Sequence, residues 1–116
     1  MTLTGQVFPI MAGVASDDQI REIIKAADKL LYDKKVGGYR LNTKFEEPQM
    51  ELGRAFGFAY GTKENGSMFS HMAVMYAYAL YSRGFAEAGY RVLQEIFEHC
   101  QDFELSRIYP GIPEYI

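Results

Sequence analysis

The sequence has little of several features that define common classes of small protein. It contains 1 cysteine, Cys100, and 2 histidines among 116 residues, which excludes a disulfide scaffold and a cysteine-only zinc site. Its 12 Lys and Arg against 15 Asp and Glu give a formal charge of −3, so no basic field favours nucleic acid. No Lys or Arg precedes the apolar residues 7–14, and no apolar run is long enough to span a bilayer. We therefore expect a reduced, cytoplasmic setting.

Aromatic rings are abundant instead. The chain has 9 Tyr and 8 Phe but no Trp, and its 48% hydrophobic and 23% charged residues are typical of a globular protein. A chain of this length buries about 65% of its unfolded surface, which suffices for one modest core. We expect one small domain, or part of a larger one, that needs further chain to enclose a deep cleft.

Helical periodicity becomes clear only after residue 15. Residues 1–15 are apolar and contain Pro9 and Gly13, which favours an irregular or strand-like segment. Ser16 followed by Gln19 is a capping box. Apolar residues then recur at spacings of three and four: Ile20, Ile23, Ile24, Ala27, Leu30 and Leu31. This stripe predicts an amphipathic helix over residues 17–32.

Glycine and aromatic residues alternate in the next part of the chain. They are Gly53, Phe56, Gly57, Phe58, Tyr60 and Gly61. The alternation favours an extended loop within residues 39–64, and a loop this long in a compact domain is usually functional. Flat rings can stack on sugar faces while glycines admit a close backbone, but packing of the loop onto the core explains the same residues. Both interpretations remain open.

Two further helices are predicted in the second half. Residues 67–82 carry almost no charge, so this helix should be buried on most sides. Gly84 is the expected C-terminal cap. A third helix follows at once, with an apolar stripe at Tyr90, Leu93, Ile96, Phe97 and Cys100. The short connection predicts an antiparallel helical hairpin, and the glycine and prolines of residues 103–116 predict an irregular tail.

The densest polar cluster is Lys63-Glu64-Asn65, which precedes His71 near the start of the predicted second helix. Four side chains should share one side of that helix: Glu64, Ser67, His71 and Tyr78. Free N–H groups at a helix start, together with a Lys and a protonated His, can hold a phosphate. The structural alternative makes Asn65 the N-cap and His71 a satisfied core histidine. Neither interpretation is excluded.

Metal binding and nucleophilic catalysis are poorly supported. His71 and His99 lie on separate predicted helices, whereas zinc needs closer, paired ligands. Cys100 fits the apolar stripe of the third helix rather than a catalytic pair. We predict no metal site and no cofactor.

Several segments, taken in order, resemble one family. They are residues 38–43 (GYRLNT), 52–61 (LGRAFGFAYG), 63–66 (KENG), 69–71 (FSH) and 106–115 (SRIYPGIPEY). They resemble the inverting glycoside phosphorylases of the glycosyltransferase family 36 type, which include cellobiose and chitobiose phosphorylases. Within that family the sequence is most similar to β-1,2-oligoglucan phosphorylases and the C-terminal catalytic region of cyclic β-1,2-glucan synthases. The resemblance covers nearly the whole chain.

The resemblance implies an (α/α)6 barrel with its active site at one end. Such enzymes split a β-glycosidic bond with inorganic phosphate and release an α-sugar 1-phosphate, so phosphate replaces the activated water of an inverting hydrolase. His71 matches the family's phosphate-contacting histidine, and Lys63 and Glu64 match residues beside the sugar-acceptor subsite. Asn65 and Gly66 are expected to shape the helix start that positions them, while Arg54 and Tyr60 match the pattern without an assigned contact. The implied partners are a β-glucan oligosaccharide and phosphate.

The sequence also departs from the family pattern. The family's general-acid aspartate lies upstream of the region that this chain resembles, so we expect no catalytic residue here. Six helix pairs at roughly 12 residues per helix need about 140 residues. Residues 1–116 are therefore expected to be part of one catalytic domain, an all-α fragment of about three helices with long loops, inactive alone. The alternative is a non-catalytic helical module that binds carbohydrate or a partner, with self-association through exposed apolar helix faces.

Overall fold

The fold was described from a computed structural model, which covers residues 1–101 without the side chain of Ala55. It has four α-helices: α1 (Leu3–Met11), α2 (Asp17–Leu30), α3 (Ser70–Ser82) and α4 (Ala86–Gln101). Strands β1 (Tyr32–Asp33) and β2 (Gly38–Tyr39) pair antiparallel, and two short 3-10 helices, Met50–Leu52 and Arg54–Gly57, precede α3. The mostly helical prediction is confirmed, although the sequence did not indicate the small sheet or α1. The predicted tail, residues 103–116, lies outside the described residues.

Helix α1 contradicts the prediction of an irregular or strand-like start. The Thr2 hydroxyl accepts a hydrogen bond from Gly5 N at 3.2 Å and caps the helix. Leu3, Val7 and Ile10 are spaced by four and three and are fully buried. Pro9 removes a single backbone hydrogen bond, and we attribute the survival of the helix to this burial of one apolar face.

Helix α2 begins as predicted and ends slightly earlier. The capping box is complete, because Gln19 N donates to Ser16 Oγ at 3.3 Å and Ser16 N donates to Gln19 Oε1 at 2.8 Å. The helix ends at Leu30 rather than residue 32, since Tyr32 already pairs with Tyr39 in the sheet.

Helix α3 lies at the centre of the helical packing. It packs against α1 and against α4, and its buried residues are Ser70, Met72, Ala73, Tyr76, Ala77, Ala79 and Leu80. The helix starts at Ser70 instead of residue 67, because Leu41 N donates to the Ser67 carbonyl at 2.9 Å and the Ser67 hydroxyl donates to the Lys63 carbonyl. These bonds hold the preceding residues in a non-helical path.

The predicted hairpin of α3 and α4 through Gly84 is confirmed, but the predicted apolar stripe of α4 is only partly buried: Ile96 is buried and Cys100 packs against the core. Gly84 has a φ of +82°, as a glycine cap should. The buried residues of α4 are Gly89, Val92, Ile96 and His99, whereas Tyr90 and Phe97 are 59% and 62% exposed. Gly89 explains the difference, since a Cβ there would lie 2.9 Å from the Tyr81 ring and 3.1 Å from the Ala77 carbonyl oxygen. This close approach turns Gly89 toward α3.

Within residues 1–101, no helix combines the length and apolar character that a membrane crossing requires.

Candidate functional site

A cleft of about 240 Å³ opens in the loop region before α3, and we call it the aromatic cleft. Its lining consists of Lys44, Phe45, Glu46, Glu47, Pro48, Gln49, Phe56, Tyr60 and Asn65. The Phe45 and Phe56 rings meet edge to face, with centroids 4.5 Å apart and planes at 90°. Rings beside ammonium, carboxylate and amide groups form the kind of concave surface that binds a small polar ligand with apolar faces.

A tight turn stands beside this cleft, and we call residues 61–66 the Lys63 turn. Gly61 N donates to the Asn65 carbonyl at 2.7 Å, and Asn65 N donates to the Thr62 carbonyl at 3.0 Å. Lys63 has a φ of +46°, the single positive φ outside glycine among the described residues. A non-glycine residue in this region costs on the order of 1 kcal/mol, and such strain concentrates at functional sites.

Two cations flank one aromatic ring next to the turn. The Lys63 ammonium lies 5.0 Å from the Phe58 ring centroid, and the Arg54 guanidinium lies 5.8 Å from it. Arg54 Nη2 also lies 3.4 Å from Glu64 Oε1, but the Arg54 side chain is 80% exposed, so this ion pair is weak. The structure thus brings together three of the predicted substrate-binding residues, Arg54, Lys63 and Glu64.

The second carboxylate oxygen of Glu64 is the most conspicuous polar atom of the site. Oε2 is buried and has no hydrogen-bond partner among the described residues. A buried acceptor without a donor costs about 1–3 kcal/mol, and more when it is charged. A ligand hydroxyl donating to Oε2 would remove that cost.

Asn65 lines the aromatic cleft but does not cap α3. Its Nδ2 donates to the Phe58 carbonyl at 2.7 Å, and its Oδ1 accepts from Asn42 Nδ2 at 3.1 Å. The N-cap of α3 is Phe69, which supplies no side-chain cap. The predictions of an Asn65 N-cap and of a helical side shared by Glu64 and Ser67 are therefore wrong, because all three residues precede the helix.

Tyr60 connects the cleft to the segment that follows β2. Its hydroxyl donates to the Asn42 carbonyl at 3.0 Å, and the Arg40 guanidinium lies 5.4 Å from its ring centroid. Burial raises the pKa of Tyr60; Arg40 opposes the shift and Asp33 adds to it. Tyr60 therefore stays protonated and remains a hydrogen-bond donor at neutral pH.

His71 stands apart from the other predicted residues. It is the second residue of α3 and is exposed, so the alternative of a core histidine is wrong. Its ring meets Phe69 edge to face at 5.8 Å. It makes no side-chain hydrogen bond or ion pair with any other residue of the range 1–101, which leaves both ring nitrogens open to a ligand.

A comparison with known protein families identifies the superfamily of this chain. A family model described as the catalytic domain of the glycosyl hydrolase 94 superfamily matches residues 1–110. The chain belongs to this superfamily. The superfamily includes cellobiose and chitobiose phosphorylases, so the resemblance drawn from the sequence motifs is confirmed at that level. No curated protein matches the chain.

Several residues of the candidate site were not predicted from the sequence. Lys44, Phe45 and Glu46 line the aromatic cleft, yet nothing in their spacing distinguishes them from a solvated loop. Asn42 and Arg40 lie in the segment whose pattern resembles the family, but their contacts with residues 60–66 depend on tertiary folding. In the part of the chain that the structure describes, no group of three or more His, Cys, Asp or Glu is placed to hold a metal ion.

Proposed function

We propose that this chain supplies the sugar- and phosphate-binding part of an inverting glycoside phosphorylase that acts on β-linked glucans, with the β-1,2 linkage as first choice. The observation that carries the proposal is the buried, unpartnered Oε2 of Glu64, the residue that precedes Asn65 in the lining of the aromatic cleft, in a chain of the glycosyl hydrolase 94 superfamily. Inorganic phosphate is the co-substrate, and no cofactor is required.

In the proposed reaction a phosphate oxygen attacks the anomeric carbon and the glycosidic C–O bond breaks. A general acid, which we place outside this chain, gives its proton to the leaving oxygen, and α-sugar 1-phosphate is released. Because phosphate is itself the nucleophile, no second carboxylate has to activate water. The task left to this chain is to bind and orient the two reactants.

Sugar binding is assigned to the aromatic cleft and the Lys63 turn. Glu64 Oε2 accepts a sugar hydroxyl, and the Lys63 ammonium, held over the Phe58 ring, donates to a second sugar oxygen. The rings of Phe45, Phe56 and Tyr60 offer apolar surface to the sugar face. Charge-assisted hydrogen bonds of this kind are roughly twice as strong as neutral ones.

Phosphate binding is assigned to His71. The exposed imidazole sits in the first turn of α3, a 13-residue helix whose N-terminus carries the positive end of the helix dipole. This positive end favours an anion there, and the imidazole N–H can donate a hydrogen bond to a phosphate oxygen.

We assign the chain to part of an (α/α)6 barrel in the cytoplasm. In this proposal the α3–α4 hairpin is one helix pair of the barrel, and α1 packs against α3 beside it. Residues 1–116 form a part of one catalytic domain in this proposal, and the chain alone is inactive.

The test uses the protein that contains this segment within its complete catalytic domain. It is incubated with inorganic phosphate and, in separate reactions, β-1,2-oligoglucosides, cellobiose and chitobiose. We expect sugar 1-phosphate from the β-1,2-oligoglucosides. Product from cellobiose alone would retain the reaction and change the linkage, whereas no product from any of the three would reject a phosphorylase.

A second candidate function is a non-catalytic helical module that binds carbohydrate or self-associates. It is favoured by the exposed apolar side chains of the hairpin: Val74, Tyr78, Tyr81, Tyr90, Leu93 and Phe97. Calorimetric titration of the isolated chain with β-glucans would show saturable binding without turnover. Sedimentation that stays monomeric at high concentration would count against self-association.

A further inference from the structure

Asn42 links the aromatic cleft to the C-terminal end of the Lys63 turn. The residue is 3% exposed. Its Oδ1 accepts from Gly66 N at 2.8 Å, and its Nδ2 donates to Asn65 Oδ1 at 3.1 Å. Its backbone carbonyl accepts from the Tyr60 hydroxyl at 3.0 Å. One residue therefore reaches the cleft wall and the end of the turn at once.

The chemistry of these bonds requires an amide at position 42. Nδ2 also donates to the Thr43 carbonyl at 3.0 Å, so both of its hydrogens are used while Oδ1 accepts a third bond. An aspartate of the same shape would keep the bond from Gly66 N but would direct an acceptor oxygen at the acceptors of Asn65 and Thr43. Asparagine alone satisfies all three partners at this size.

Asn42 is itself held from two sides. Leu3 N donates to the Leu41 carbonyl at 2.8 Å, and Leu41 N donates to the Ser67 carbonyl at 2.9 Å, so the strand-like segment lies between α1 and the residues before α3. Arg40 Nη1 donates to the Gly66 carbonyl at 2.7 Å while its Nε donates to Asp33 Oδ2 at 2.9 Å. The segment that contains Asn42 is therefore held by hydrogen bonds to ordered parts of the fold and is not a free loop.

We propose that Asn42 is a positioning residue, which fixes the Lys63 turn against the aromatic cleft so that Glu64 and the cleft face the same ligand. The left-handed backbone of Lys63 is maintained only if the surrounding contacts over-determine it, and Asn42 supplies such contacts. The identity of the ligand as a sugar rests on the proposed function. The role of Asn42 in positioning the Lys63 turn does not depend on the proposed function.

The kinetic test compares Asn42→Asp, Asn42→Ala and the control Ile20→Val in the protein with its complete catalytic domain. Ile20 is a fully buried residue of α2 outside the site. Asn42→Asp should lower kcat/KM for the glucan by about 10- to 100-fold, mainly through KM, because a misplaced binding group costs this much. The KM for phosphate should stay unchanged, since His71 does not contact Asn42. Ile20→Val should lower Tm without changing either KM.

Hydrogen exchange gives a readout that does not depend on turnover. In Asn42→Asp the amide of Gly61, which donates to the Asn65 carbonyl, should exchange at least about tenfold faster, while the amides of α1 and α2 remain as in the wild type. Asn42→Ala also removes the acceptor of the Gly66 N–H, so the Gly66 amide should exchange faster there as well, and this variant carries the test if the aspartate prevents folding. Ile20→Val should affect α2 and leave the turn unchanged.

The possible outcomes distinguish the positioning role of Asn42 from the proposed function. Unchanged exchange at Gly61 and Gly66 in both Asn42 variants would overturn the positioning role, as would equal KM changes in Ile20→Val. Local acceleration of exchange in an enzyme that phosphorolyses no glucan would support the role of Asn42 and reject the proposed function. A general rise of exchange in every helix would reduce Asn42 to an ordinary structural residue and also contradict the proposal.

Discussion

Arg54 Nη2 lies 3.4 Å from Glu64 Oε1, while the other oxygen of the same carboxylate, Oε2, is buried without a partner among the described residues. One oxygen is therefore weakly held by an exposed guanidinium and the other is left for a donor that the described residues do not provide. The buried, unpaired Oε2 destabilises the protein unless a ligand hydroxyl donates a hydrogen bond to it.

Glu64→Gln should weaken sugar binding. A hydrogen bond to a charged group contributes about 1.5–3 kcal/mol, which corresponds to a loss of roughly 10- to 150-fold in kcat/KM for the glucan. Initial rates at saturating phosphate measure the loss. The matched control Glu22→Gln changes an exposed carboxylate on α2 that pairs with Lys25 at 2.8 Å. Equal kinetics for the two variants would remove Glu64 from the site.

His71→Ala should act on the other reactant. The substitution removes a hydrogen-bonding imidazole from the exposed first turn of α3, so the KM for phosphate should rise while the KM for the glucan changes little. Rates measured across a phosphate titration check this. A phosphate dependence identical to that of the wild type would exclude His71 from the phosphate site.

Gly66→Ala should disturb Tyr60 as well as the backbone. Gly66 has a φ of +74°, and a Cβ at this position would overlap the Tyr60 ring. Gly13→Ala is the matched control, because Gly13 has a φ of +73° and no atom within 4 Å of the Cβ position. Both variants carry a backbone cost of roughly 1 kcal/mol, and Gly66→Ala should lose at least about 1 kcal/mol more. Urea unfolding of both proteins gives the difference, and equal losses would contradict the packing of Tyr60.

Asp33 should make stability depend on acid pH. A hydrogen bond from Lys35 N and the side-chain bond from Arg40 hold the pKa of Asp33 below its usual value of 3.8. Because the unfolded state binds the proton more readily, this contribution is present above about pH 4 and is lost as pH falls through the folded-state pKa. Asp33→Asn should therefore reduce the difference in unfolding free energy between pH 6 and pH 3. An unchanged difference would mean that the bonds from Lys35 N and Arg40 do not lower the pKa of Asp33 in the folded protein.

Features of the fold that depend on neighbouring residues were predicted from the sequence, whereas a feature that depends on tertiary packing was not. The Ser16–Gln19 capping box and the Gly84 connection depend on neighbouring residues, so they were readable from spacing. Helix α1 was missed because Pro9 suggested a break, whereas burial of Val7 and Ile10 retains the helix.

The same difference between local and long-range interactions holds for the candidate site. The cluster of Lys63, Glu64 and Asn65 was found from its composition and its family pattern. The bond between Asn42 and Asn65 joins residues 23 positions apart in segments without periodicity, and no sequence rule indicates such a pair.

The central claim is that this site belongs to a phosphorolytic enzyme, and the most direct measurement is NMR of the products formed from a β-1,2-linked oligoglucoside with and without inorganic phosphate. We expect a sugar 1-phosphate that forms only when phosphate is present and whose anomeric proton has the coupling of the α-anomer. Release of free sugar at the same rate without phosphate, or a β-sugar 1-phosphate, would contradict it.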